Sequence, residues 1–323
     1  MKIPIERKYN NQRIDKFLVF QLQKIGFKQV TRNMIKDNIQ QGVKVNDAEI
    51  KPSYKIKGGD IINIDEQYWK ELFSKLDLSD QISPQKGELN ILYEDKYILV
   101  ILKPKGLVVH PGVGNRKDTL ANYVRYYLES KNEYDINMDR AGIVHRLDKG
   151  VSGIMVIAKD KQSQNNIKEQ FINREVEKIY LAEVEQFKES ELGSFEKSNL
   201  HTVLENIQKN NIDFSNWFVA EGFIGRDKVN RYRMDFKLYE FGGSKSAKSY
   251  ILPMNDNKML IKIVTGRMHQ IRATLNYYGY SIKGDTLYRS KRIKKSSANI
   301  MLKSIYLSFT HPHTKERMYF LEV

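Results

Sequence analysis

Apolar residues first fall into a helical rhythm just after position 12. Ile14, Phe17, Leu18, Leu22 and Ile25 recur at intervals of three and four, and Gly26 supplies a stop. Thr31 is placed to cap a second short helix that turns Met34, Ile35 and Ile39 inward and ends at Gly42. The period then drops to two. Val43 and Val45, a turn at Asn46-Asp47, then Ile50, Tyr54 and Ile56, and Ile61, Ile62 and Ile64 after Gly58-Gly59-Asp60 predict short strands. Residues 12–65 therefore read as a small module of two helices and a few strands, whose core is too small for much stability alone. Residues 66–87 show no clean period and contain Pro84 and Gly87, which predicts a linker with room for one helical turn.

From Leu89 the chain changes character. Ile91 to Tyr93 and Ile98 to Leu102 read as buried strands before a turn at Lys103-Pro104-Lys105-Gly106, and strand-like and helix-like stretches alternate irregularly to the end. No 20–50 residue repeat is present. The expected architecture for 88–323 is one large α+β domain on a mixed, mostly antiparallel sheet. Residues 189–221 interrupt two strand-like regions, carry a helical pattern at Val203 and Ile207, and read as an insertion.

Composition narrows the chemistry. The 323 residues include 54 Lys+Arg against 39 Asp+Glu, a net charge of +15, and no cysteine. Disulfides, thiolate metal sites, iron–sulfur clusters and a cysteine nucleophile are excluded. No apolar run approaches the roughly 18 residues of a membrane span, and the amino terminus has no signal-peptide core, so a cytoplasmic protein with a polyanionic partner is expected. A Lys/Asn/Ile-rich composition can produce a lysine excess without meaning, so placement decides. Residues 1–65 carry thirteen basic and seven acidic side chains. Arg13 and Lys16 lie three apart on the first predicted helix and Arg32 and Lys36 four apart on the second, so each pair can share an exposed face. The run QRIDKFLVFQL…TRNMIKDNIQQGVKVNDAEIKPSYKIKGGDIINI resembles the S4 RNA-binding domain in order and spacing.

Two segments concentrate chemistry. In AGIVHRLDKGVSGIMVIAKD, residues 141–160, the polar His145, Arg146, Asp148 and Ser152 occupy a short loop between apolar stretches. An aspartate there is partly desolvated and would protonate if unpaired, which makes a nearby arginine its natural partner. A turn-forming Asp before Gly150 is the plainer alternative. In TGRMHQIRATLNYYGYSIKGDTLY, residues 265–288, a strand ends at Gly266, and a helix from about His269 would bury Ile271 and Leu275. Arg267 and Arg272 flank His269 and Gln270 there, able to grip a carboxylate bidentately or to bind phosphate at the surface.

These segments carry a resemblance. HRLDKGVSG and GRMHQIRATL…GDTLY are similar to the signature motifs of the RluA-type pseudouridine synthases, as are KPKGLVVHPGVGN at 103–115, KIYLAEV at 178–184, and IGRDKVNRYRM with GGSKSAKSY at 224–250. The HPGVGN run is most similar to the large-subunit rRNA synthase D subgroup. Val151, Met268 and Gln186 depart from the usual Thr, Thr or Ser, and Gly. None of the three carries catalytic chemistry.

The resemblance implies an isomerase that needs no cofactor and acts on RNA, with 23S rRNA or a large-subunit precursor as partner and a monomer as the working state. It implies Asp148 as the reacting carboxylate, attacking C1′ or C6 or assisting glycal formation. Arg272 is implied as its ion-pair partner, with Arg267 second. Tyr180 would stack on or hydrogen-bond to the base, or help remove the C5 proton. Arg146 would fill the space left by a flipped uridine. His145 would orient the loop and His269 would border the pocket, while His110 either borders it or is a satisfied structural histidine. Arg289, Lys291 and Arg292 belong to RSKRIKK, five basic residues in seven, expected to contact phosphates. His311 and His313 lack a convincing third ligand, so no metal is expected. Two rivals remain: a non-catalytic RNA-binding protein, and a synthase acting on tRNA or mRNA.

Overall fold

In the computed structural model, which describes residues 1–27, 30–79, 82–112, 114–209, 211–289 and 299–323, the chain opens on a short strand, β1 (Lys2–Pro4), that the sequence pattern does not announce. The two helical rhythms become α1 (Ile14–Lys24) and α2 (Arg32–Gly42), and the Thr31 hydroxyl accepts the Met34 N–H at 3.3 Å as the cap its position suggests. β2 (Val43–Val45) and β3 (Ile61–Ile64) follow, and β3 pairs antiparallel with both β1 and β2. Ile14, Phe17, Leu18 and Leu22 pack with Ile35, Ile39 and the β2 and β3 side chains. The stretch from Ile50 to Ile56 contributes to this core without forming a strand of its own.

The expected linker at 66–87 needs correction. Its first part is α3 (Glu66–Ser79), and the compact unit containing it runs from Met1 to Gln81. Asp65 caps this helix by accepting the Tyr68 N–H at 2.9 Å. Trp69 is fully buried and donates its indole N–H to the Gly42 carbonyl at 3.1 Å. Trp69, Leu72 and Phe73 do lie at helical spacing, but charged and aromatic neighbours blur the stripe.

The second unit, Ile82–Val323, contains β4 (Ile91–Glu94), β5 (Ile98–Lys103), α4 (Leu120–Ser130), β6 (Ser152–Ala158), α5 (Lys161–Ile172), β7 (Glu177–Gln186), α6 (Leu200–Gln208), β8 (Phe218–Arg226), β9 (Met234–Lys237), β10 (Lys245–Met254), β11 (Lys258–Ile263), α7 (Gln270–Tyr277), β12 (Tyr280–Ile282), β13 (Leu302–Thr310) and β14 (Arg317–Leu321). Its strands form one sheet in the order β4-β5-β6-β13-β7-β11-β10-β8-β9, with β12 beside β7 and β14 beside β13. The expected α+β fold on a mixed, mostly antiparallel sheet is what forms, and among the described strands only β6 and β13 run parallel.

That parallel pair is also where the sheet forks. β6 and β13 match at Ser152↔Lys303 and Gly153↔Ser304 and no further. Gly153 permits this close contact, because a Cβ on its backbone (φ +133°) would lie 2.3 Å from the Ser304 carbonyl oxygen. Residues 143–145 take the place that β13 vacates: Ile143 bridges Ile157, and the Val156 N–H donates to His145 Nε2 at 3.1 Å. Helices cover both faces around the fork. Leu120, Val124 and Leu128 of α4 pack with Leu99, Ile101, Met155 and Ile157, while Ile167 of α5 packs with Ile98, Val100, Ile154 and Val156.

The expected insertion also has a structural job. Ile207 of α6 and Trp217 pack on Ile179, Leu252, Leu260 and Ile305, and Ser198 bridges Met254. Ile179 and Tyr180 alternate along β7, so this segment covers the sheet face turned away from Tyr180.

Candidate active site

The fork presents Asp148. Leu147 and Val151, both buried, anchor the loop on either side of it, and the Val151 N–H donates to the Asp148 carbonyl at 3.0 Å. His145 is held by Val156 and stacks on Phe171 at 4.9 Å between ring centroids. Burial first, and the charge of Lys178 second, push the His145 pKa down to about 3, so it is a neutral acceptor that orients the loop. Asp148 keeps 30% of its side-chain surface exposed and faces a cavity of about 580 Å³. Arg146, Arg174, Lys178, Tyr180, Arg267 and Arg272 line the same cavity, so five cationic side chains surround one carboxylate. Such a cavity suits a polyanionic ligand.

Arg272 lies between two carboxylates. Its Nε and Nη2 donate to Asp285 at 2.7 Å each, while its Nη1 is 3.7 Å from Asp148 Oδ2. The expected pairing with Asp148 is therefore a near approach, and the bidentate bond goes to Asp285, which sequence reasoning passed over inside GDTLY. Asp285 is fully buried and also accepts the Leu287 and Tyr288 N–H groups at 3.0 Å. The Tyr288 ring lies under the Arg272 guanidinium at 4.8 Å, and its hydroxyl meets His269 Nδ1 at 3.1 Å. His269 Nε2 is 3.8 Å from Asp148 Oδ2. Burial, then the charge of Arg272, lower the His269 pKa and keep this imidazole neutral.

The turn before α7 is fixed by Gln270. Its side-chain oxygen accepts from Thr265 Oγ1 and the Arg267 N–H, and its amide donates to the Lys248 carbonyl and Ser249 Oγ. All of its hydrogen-bonding capacity is used in placing Arg267 and His269. Arg267 directs its own Nε to the Ser246 carbonyl at 2.9 Å and makes no ion pair with Asp148. Tyr180 is buried beside the cavity. Its hydroxyl is held above its usual range by burial, against the pull of a Ser304 hydrogen bond and with help from Asp148.

His110 stands apart from the residues lining this cavity; burial, with Arg140 and Arg146 adding to it, lowers its pKa to about 4. Arg289 is half-buried, and Lys291 and Arg292 lie outside the described residues. Lys178 was missed, although its place two residues before Tyr180 on one strand puts both on the same face. His311 has both ring nitrogens engaged, Nε2 with Asp95 at 2.8 Å and Nδ1 accepting the Thr314 N–H at 2.9 Å.

Comparison with known proteins decides what the cavity belongs to. The family described as RNA pseudouridylate synthase matches residues 97–277, which takes in β5, the Asp148 loop, β7 and all of α7. The chain belongs to that family. This pseudouridine synthase is 31% identical over 320 residues to a protein of Aquifex aeolicus named an uncharacterized RNA pseudouridine synthase, covering 96% of this chain and 89% of that one. It is also 31% identical to the ribosomal large subunit pseudouridine synthase D of Neisseria meningitidis serogroup A, covering 87% of this chain and 69% of that one. Among solved structures, human RNA pseudouridylate synthase domain containing 1 shares the fold, with a TM-score of 0.52 and 20% identity over 74% of this chain and 86% of that one. The enzyme is an isomerase that converts uridine to pseudouridine in RNA.

The synthase's first unit holds a second cationic arrangement. The sequence suggests separate faces on α1 and α2; the structure instead joins Arg13, just before α1, to Arg32, the first residue of α2. Both grip Asp15, Arg13 at 2.8 Å and Arg32 at 3.0 Å, while Lys16 and Lys36 stay exposed. Asp15 is fully buried, which alone would raise its pKa, but hydrogen bonds from Arg13 and Arg32 outweigh burial and bring it to about 2. Two half-exposed guanidinium groups are thereby held side by side by one carboxylate.

Proposed function

We propose that this synthase modifies large-subunit (23S) rRNA in the cytoplasm, with Asp148 as its nucleophile and a flipped uridine as its substrate. The observation that carries the reading is Asp148 in a cationic cavity, 3.7 Å from Arg272 and 3.8 Å from His269. Pseudouridine formation breaks the N1–C1′ bond, turns the uracil, joins C5 to C1′, and removes the C5 proton while N1 gains one, so atoms balance and no electrons are exchanged. Attack at C1′ or at C6, or removal of a sugar proton, each begins at an ionised carboxylate. A base held in a stack is out of reach of a nucleophile, so the uridine would leave its stack, and Arg146, exposed and lining the cavity with Asp148, would occupy the gap. Tyr180 supplies a ring against the uracil, with a hydroxyl that burial keeps protonated.

The name of the Neisseria relative supports the rRNA target. The S4-like order of residues 12–65, with the paired Arg13 and Arg32, supports a role for the first unit in gripping RNA backbone. The test is to map pseudouridine in total RNA from cells with and without this gene. One or more uridines in large-subunit rRNA should lose the modification. A loss confined to tRNA would overturn the rRNA target.

A further inference from the structure

We propose that the turn running from the end of β8 to β9, residues 226–233, docks an unpaired nucleotide of the substrate RNA, stacking its base on Tyr232 and holding its phosphates on Arg226, Lys228 and Arg231. This rests on the enzyme's RNA substrate and extends it to a surface outside the cavity.

The loop exposes what a soluble protein usually hides. Val229 is 96% and Tyr232 80% exposed, yet the backbone that carries them is tied down. Asp227 accepts the Val229 and Asn230 N–H groups at 2.8 and 2.9 Å, Arg226 donates to the Arg231 carbonyl at 2.7 Å, and Asn230 accepts the Tyr232 N–H at 3.1 Å. The ring is therefore held out in water by a preformed loop. An exposed aromatic that is pre-positioned suits a partner with a flat face and loses little freedom on binding it.

Charge selects the partner. Residues 226–233 carry four cationic side chains and one carboxylate, and that carboxylate is spent on the loop's own amides. Arg226, Lys228 and Arg231 are exposed on the same turn as Tyr232. Basic side chains around an aromatic ring are the requirements for single-stranded nucleic acid: cations follow the backbone while the ring takes a base of any identity. A protein partner would be expected to bury Val229 against a larger apolar surface, whereas cations flank it here.

The loop is continuous with the active site. The Arg233 guanidinium lies 4.8 Å from the Tyr288 ring and donates to Asn276 Oδ1 at 3.0 Å. The Met234 N–H donates to the Tyr288 hydroxyl at 2.6 Å. Tyr288 in turn touches His269 and Arg272, which flank Asp148. The two residues that follow Tyr232 are therefore tied by fixed contacts to the side chains around the reacting carboxylate.

The experiment uses the full-length enzyme with transcribed large-subunit rRNA for turnover, and a short labelled oligouridylate or a duplex of equal length for binding. Tyr232→Ala should raise KM and weaken oligouridylate binding by about tenfold, with kcat and duplex binding within about twofold of wild type. Tyr232→Phe keeps the ring and should restore both. Lys228→Ala with Arg231→Ala should lower the slope of log affinity against log salt by about one to two units. The proposal is overturned if Tyr232→Ala leaves KM and oligouridylate affinity unchanged, if it weakens duplex and single strand equally, or if the double variant keeps the wild-type slope. Wild-type enzyme that modifies tRNA and not rRNA would refute the rRNA target alone, because oligouridylate binding is read separately.

Discussion

Arg272 holds the site together through Asp285 rather than through the proposed nucleophile Asp148, and removing it should show this in the melting curve. Asp285 has no exposed side-chain surface, and two of its four hydrogen bonds come from Arg272 at 2.7 Å. In Arg272→Ala its charge would rest on two backbone N–H groups alone. Leaving a buried carboxylate without its cation costs about 3–5 kcal/mol. In a unit of this size each kcal/mol moves the midpoint by about 2–4 °C, so the melting temperature should fall by roughly 6–20 °C. Activity should vanish as well, because Asp148 loses the cation 3.7 Å away. The informative control is Arg272→Met with Asp285→Asn, which removes both charges together. It should recover most of the melting temperature and none of the activity, since uncharged pairs of similar volume are tolerated where broken ion pairs are not. Differential scanning fluorimetry and a pseudouridine assay on the same preparations suffice. A single variant melting within about one degree of wild type, or a double variant no more stable than the single, would refute the argument.

Four further outcomes follow from the geometry. Asp148→Asn keeps the shape of the side chain and loses its nucleophilicity, so it should form no detectable pseudouridine while RNA affinity stays near wild type, as measured by filter binding. Burial holds the His145 pKa at about 3, below its unfolded value of about 6.5, so the unfolded chain binds the extra proton between these values. Stability should therefore be full above pH 6.5 and decline as pH falls, and His145→Asn should flatten that slope in urea titrations between pH 7 and 5. Gly153→Ala would press a methyl group against the Ser304 carbonyl and should cost both stability and activity, checked by melting and turnover. Asp15→Ala should free Arg13 and Arg32 from each other and weaken RNA binding without lowering kcat; unchanged affinity across a salt series would dismiss the paired-arginine reading.

Much of this was legible from residue order. Strong periods located α1, α2, β5, β6 and α7, since core-facing positions on those elements are uninterrupted apolar residues such as Ile154, Val156, Ile271 and Leu275. The motif segments located Asp148, Tyr180 and Arg272. The missing pieces share a physical origin: they depend on distance through space. Nothing in local spacing says that Arg272 prefers Asp285, thirteen residues on, to Asp148, or that Arg13 and Arg32 meet on Asp15. His145 could be given an orienting role, but not the backbone amide it would accept, because that amide is free only where the sheet forks. α3 was lost because its apolar residues, aromatic and aliphatic alike, are interleaved with charged ones.

The segment between β7 and β8 has a consequence for how such chains can diversify. Ile207 and Trp217 shield Ile179, Leu252, Leu260 and Ile305, a patch that would otherwise face water. A chain without this segment would expose those four side chains to water, and one that replaced them with polar residues would have nothing to seat α6. The two features must be inherited or discarded as a pair. Grafting the segment into another synthase should fail unless the back of the sheet travels with it.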